Sequence, residues 1–137
     1  MSKILYQLFV SGTPKAQPRP RMTAKGHVYN PSSADAWKEE IMASFAGIRR
    51  HRPIITEPVR LKVTFFMPAP KGMKIESRDK CYVPHSKKPD TDNLLKAVMD
   101  SLTDIKVWAD DALVFWTEAV KWCVTKDTGA QIIIETF

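Results

Sequence analysis

The chain has 137 residues, 44% hydrophobic and 26% charged, with a formal net charge of +6. These values fit one globular domain over residues 1–137, large enough to bury a core without disulfides or a structural metal. They exclude a low-complexity chain, and no apolar run approaches the roughly 20 residues that cross a bilayer, so no membrane partner is expected. The amino terminus alternates apolar and polar positions and lacks a signal-peptide pattern, so the expected location is cytoplasmic. Cys81 and Cys123 stand apart from each other and from any histidine; reduced thiols are expected, and neither spacing supports zinc.

The charge is polarised along the chain. Residues 1–89 hold 17 Lys and Arg against 6 Asp and Glu, whereas residues 90–137 hold 4 against 9. A basic surface suits a polyanion such as nucleic acid. Carboxylates turned towards phosphate gain nothing unless a cation lies between them. All ten prolines fall in residues 1–89, which places the loops there and predicts compact structure afterwards.

In chain order, Ile4–Val10 alternates and predicts a strand. The Pro-rich stretch that follows excludes regular structure across its prolines, though Arg21–Tyr29 predicts a small hairpin turning at Lys25-Gly26. Ser32 and Asp35 resemble a capping box ahead of Trp37, Ile41, Phe45 and Ile48, whose spacing predicts a helix over about Ala34–Arg49. Val59, Leu61, Val63 and Phe65 predict a strand with one dry face. Residues 68–89 carry four prolines and many charges and predict a long basic loop. A second helix is predicted from Asn93 to about Leu102, with Asp92 as its N-cap and Leu94, Leu95, Val98, Met99 and Leu102 as its buried stripe. Val114–Trp122 predicts a strand, Thr125–Gly129 a turn and Gln131–Phe137 a last strand. The expected fold is α/β (α+β): a small mixed sheet of about four or five strands with two main helices.

The segment "KPDTDNLLKAVMD" carries the chemistry. If residues 90–92 are extended, Asp90 and Asp92 project from one side, at the positive end of a helix. Lys96 lies one turn further, within reach of the same end. Phosphodiester hydrolysis uses a cation to neutralise phosphate oxygens and acidify water, and Mg²⁺ takes hard oxygen ligands while keeping several waters. Alone, the motif is also an ordinary capped helix start. Asp110-Asp111 adds a second acidic pair at the entry to the next strand, and a third carboxylate brought near Asp90 and Asp92 exceeds what capping needs. Asp100 and Asp104 read as solvated helix residues. His27, His51 and His85 are scattered and read as surface or turn residues. Trp108, Trp116 and Trp122 read as core or dimer surface, and Phe65 and Phe66 as core, with a wedge into branched nucleic acid as the alternative for the one near the loop.

"DTDNLLKAVMDSL" followed by "ADDALV" resembles the signature of the RusA family of Holliday junction resolvases, and "GTPKAQPRPRMTAKGHVYNPSSADAWKEEI" is similar to members of that family as well. The resemblance implies a homodimeric, Mg²⁺-dependent endonuclease, with Mn²⁺ as a substitute, that acts on branched DNA and cuts four-way junctions by paired symmetric nicks. It implies that Asp90, Asp92 and Asp111 hold metal and that Lys96 is catalytic, with Asp110 secondary. The expected chemistry is in-line attack by water, leaving a 5′-phosphate and a 3′-hydroxyl. DNA binding is expected from Lys15, Arg19, Arg21 and Lys25 near the amino end and from Lys71, Lys74, Arg78, Lys80, Lys87 and Lys88 in the basic loop. Two rival readings stand beside it: a nuclease of the same chemistry acting on flaps, forks or duplex, and a non-catalytic DNA-binding protein such as a decayed prophage copy.

Overall fold

A computed structural model describes residues 2–29, 31–73 and 83–137. Five strands form one mixed sheet: β1 (Ile4–Ser11), β4 (Val59–Pro68), β5 (Val83–Pro84), β6 (Val114–Val124) and β7 (Gly129–Thr136), in the spatial order β1-β7-β4-β6-β5. A separate two-stranded hairpin pairs β2 (Arg21–Met22) with β3 (Val28–Tyr29). Its turn is closed by Gly26 N–H to Thr23 O at 2.9 Å, as the Lys25-Gly26 reading expects. Helices α1 (Asp35–Arg49) and α2 (Thr91–Asp104) complete the α+β fold.

The strand β4 shows strict alternation, with Val59, Leu61, Val63, Phe65 and Met67 all buried and the residues between them half-buried. It runs parallel to β6 and antiparallel to β7. Parallel neighbours need a crossover, and α2 supplies it. The core lies between this inward sheet face and the two helices. There Trp37, Ile41 and Phe45 of α1 and Leu94, Ala97, Val98 and Leu102 of α2 share one cluster with Tyr6 and Val10 of β1 and the inward residues of β4. Each fully buried side chain of this kind contributes roughly 1.5–3 kcal/mol by removal from water.

Four local readings change. The N-cap of α2 is Asp90, extended at φ −71° and ψ 153°, and Asp92 sits inside the first turn. The buried stripe of α2 is Leu94, Ala97, Val98, Ser101 and Leu102, while Leu95 and Met99 are only half-buried. The small Ala97 and Ser101 go inside, where the Ser101 hydroxyl donates to Ala97 O at 2.7 Å. The capping box is absent: Ala34 precedes α1 and no side chain caps it. The long basic loop is interrupted by β5, which pairs Val83 with Cys123 and Pro84 with Trp122. Cys123 is a buried free thiol, and Cys81 lies outside the described residues.

In β6 the side that faces the helices is Thr117, Ala119, Lys121 and Cys123, in register with Leu61, Val63, Phe65 and Met67. Trp116, Val120 and Trp122 therefore point to the opposite face, in register with Arg60, Thr64 and Phe66. Trp108 is fully buried, as expected, and its indole N–H donates to Thr103 Oγ1 at 2.7 Å.

Gly129 opens β7 beneath β1, where an added Cβ would lie 2.3 Å from the Val10 carbonyl oxygen and 2.7 Å from the Phe9 ring. Backbone cannot give way as a flexible side chain can. Gly129→Ala is predicted to cost about 1–3 kcal/mol of stability. Urea unfolding measures this, and an unchanged midpoint would show that β1 shifts freely.

Candidate active site

The segment after α2 is held by the core. Val107 and Trp108 are buried, Ile55 N–H donates to Val107 O at 3.0 Å, and Ala109 N–H donates to Ile55 O at 3.0 Å. This strut delivers Asp110 and Asp111 to a fixed place beside α2. Asp110 caps a short 3₁₀ turn (Asp111–Leu113), its Oδ1 accepting from Ala112 N–H at 2.9 Å. The two aspartates thus divide their work: Asp110 holds backbone, and Asp111 is left to face the helix.

On α2, burial of the apolar stripe turns Asp92, Lys96 and Asp100 outward, four residues apart and therefore in one row. These three, with Leu95, Met99 and Asp111, line a shallow cleft of about 280 Å³. Lys96 Nζ lies 3.4 Å from Asp100 Oδ1. Asp92 Oδ1 accepts from Asn93 N–H at 2.9 Å. Asp100 was expected to be an ordinary solvated residue; it is instead a wall of the cleft, and its spacing from Lys96 is the signal that could have found it.

Asp90 lies elsewhere. Its carboxylate makes no cap bond, and it lines a neighbouring depression with Ala16, Arg19, Lys88, Pro89 and Asn93. Among the described residues no three His, Cys, Asp or Glu side chains converge as ligands on one point. The structure thus brings Asp92, Lys96 and Asp111 together and sets Asp90 at their flank. The amino-terminal basic segment is tied to the same helix end by Gln17 N–H to Asn93 O at 3.0 Å. This explains how Arg19 comes beside Lys88. Lys15, Arg21, Lys25, Lys71, Lys87 and Lys88 are all exposed. Lys74, Arg78 and Lys80 lie outside the described residues. His85, expected at the surface or in a turn, is half-buried, and its imidazole is held below its ordinary range by burial first and the Lys121 ammonium second.

The acidic pair is strained electrostatically. A hydrogen bond to Asp110 first, then burial and the charges of Asp110 and Asp100, hold the Asp111 carboxyl above the usual range, with Lys96 opposing. The Ala112 N–H, and then the bond to Asp111, hold Asp110 below it. Hard carboxylate oxygens at Asp92 and Asp111, in a pocket where negative charge is crowded, suit a hard divalent cation that needs only one or two carboxylates and keeps its waters.

A row of carboxylates and one lysine along a crossover helix, on a basic chain, is the kind of donor set that a cation-assisted phosphodiester hydrolase would need. The sequence profile described as "Endodeoxyribonuclease RusA" matches residues 11–135, and the chain belongs to that family. It is 39% identical over 63 residues to the "Crossover junction endodeoxyribonuclease RusA" of Escherichia coli K12, covering 46% of this chain and 52% of that protein. The same identity and coverage hold for the protein of that name from Enterobacteria phage 82. The chain thus matches about half the length of these two relatives. A Bacillus subtilis protein, "Uncharacterized protein YqaN", is 34% identical over 113 residues, covering 77% of this chain and 78% of its own.

A carboxyl held above its unfolded range favours the protonated native state, so its contribution is present at acid pH and lost as pH rises through the carboxylate range. Asp111→Asn is therefore predicted to raise the Tm of metal-free protein at neutral pH, the gain vanishing in acid. Adding Mg²⁺ should raise the Tm of the natural chain and leave that of Asp111→Asn nearly unchanged; thermal melts in chelator and in Mg²⁺ read both effects.

Proposed function

We propose that the protein is a Mg²⁺-dependent endonuclease, active with Mn²⁺ as well, that resolves four-way DNA junctions by paired symmetric nicks. The observation that carries this reading is the cleft in which Asp92, Lys96 and Asp111 meet, in a chain that belongs to the RusA family. A divalent cation held by Asp92 and Asp111, with Asp90 at the flank, would neutralise phosphate charge and acidify water. The Lys96 ammonium, 3.4 Å from Asp100 Oδ1 in the cleft, would stabilise charge on a scissile phosphate bound there. The positive end of the α2 dipole favours the same anion. Arg19 and Lys88, beside Asp90, suit a neighbouring phosphate on the same strand. Leu95 and Met99 give the cleft an apolar side that limits water.

Paired nicks require two sites, which a two-fold homodimer supplies. The support for a dimer is β6. Beyond β4, its residues 114–120 have no further strand beside them among the described residues, and Phe115, Trp116 and Val120 are 46%, 48% and 39% exposed. Long apolar edges of this kind are normally covered. Light scattering on a sizing column should give twice the chain mass of 15.6 kDa, and Trp116→Glu should shift the protein towards the single-chain mass.

Cleavage of a mobile-core synthetic four-way junction in Mg²⁺, beside flap, fork and linear duplex, tests the activity. Symmetric nicks confined to the junction, and lost in Asp90→Asn and Asp92→Asn, are the expected result. Equal cutting of flaps or forks would favour a broader nuclease, and binding without nicks in Mg²⁺ or Mn²⁺ would leave a DNA-binding protein. Replacing Lys87 and Lys88 by Ala should weaken junction binding and flatten its salt dependence by roughly one to two ions. An unchanged slope would take both lysines out of the interface.

A further inference from the structure

A lysine that points at the helices of a core-facing strand needs an explanation. Lys121 is on the inward side of β6, in register with Phe65, which is fully buried. Its ammonium donates to two backbone carbonyls, Lys87 O and Pro89 O, both at 2.7 Å. Charge-assisted bonds of that length are about twice as strong as neutral ones. Its own carbonyl accepts from His85 N–H at 3.1 Å, so residues 85–89 are tied to β6 at three points. Asp90 follows Pro89 directly and has an extended backbone, and its carboxylate is not used in capping. The place of Asp90 is therefore set by the segment that Lys121 holds.

The same strand begins just after the 3₁₀ turn that carries Asp111. One rigid element thus fixes Asp111 at its start and, through Lys121, Asp90 near its end. Two of the three ammonium hydrogens are engaged by these carbonyls, so Lys121 is poorly suited to serve as a phosphate contact like the exposed lysines around it.

We propose that Lys121 is a positioning residue of the active site, acting through the 87–89 backbone to fix Asp90. This rests on the reading of Asp90 as part of the nuclease site. Lys121→Met keeps the stem and removes the donors, and Lys121→Arg keeps charge and donors. Amide hydrogen exchange over residues 86–92 should be at least about tenfold faster in Lys121→Met, with β4 and the second half of α2 unchanged. The kcat for junction cleavage should fall about tenfold or more, with KM within about threefold of the natural chain, and Lys121→Arg should recover most of both losses.

Exchange that stays slow in folded Lys121→Met overturns the anchoring, and fast exchange with an unchanged kcat overturns the positioning role. Loss of kcat accompanied by fast exchange throughout the chain would mean a general folding role and also overturns it. If the natural chain cuts no junction, the nuclease reading fails on its own, while the exchange experiment still decides whether Lys121 holds the segment.

Discussion

The orientation of α2 about its own axis is the constraint on which the site depends. Leu94, Ala97, Val98, Ser101 and Leu102 are buried in the core, and this leaves one rotation for the helix. A helix turns about 100° per residue, so that rotation also decides what faces outward. Asp92, Lys96 and Asp100 come into line because the residues between them are needed inside. A turn of the helix by one residue would bury a charge and expose a leucine, which costs far more than any surface ion pair could return. The chemistry is thus aligned by burial of residues that take no part in it.

Around that helix, β6 acts as a second ruler. The buried strut at Val107 and Trp108 sets its start, and pairing with β4 sets its course. The cleft then lies between two elements, each fixed independently by the core. Such placement suits electrostatic catalysis, in which donors must stand ready before the charge develops. The crowding of Asp110, Asp111 and Asp100 is the accompanying cost. A site that concentrates negative charge gives up stability when empty, and would regain it if a cation bound.

Much of this was legible from residues alone, because the signals were local. The alternation of Val59 to Phe65, the spacing of Trp37, Ile41 and Phe45, and the Lys25-Gly26 turn each need only a few neighbouring residues. Asp92 and Lys96 were legible for the same reason, being one helical turn apart. What escaped depends on partners distant in sequence. The inward direction of Lys121 follows from the register of β6 against β4, which the residues of β6 alone do not carry. β5 exists only because β6 lies beside it, and a two-residue strand has no period to read. Asp100 was passed over although its spacing was visible, because the site was expected at the helix start and the cleft runs along the helix to its third turn.

The order of strands has a consequence for how the chain reaches this structure. β7, from the last residues, lies between β1, from the first, and β4. Ile4 pairs with Glu135, and Ser11 with Gly129, across almost the whole length of the chain. Contacts so far apart in sequence carry a large loop-closure cost before they return any stability, and such topologies fold slowly. While the chain is being made, β1 has no neighbour and β4 lacks one side until residue 129 has left the ribosome. The sheet is therefore complete only late, and until then the apolar strand nearest the amino end waits without its neighbour. For such a protein the hazardous interval is synthesis rather than service.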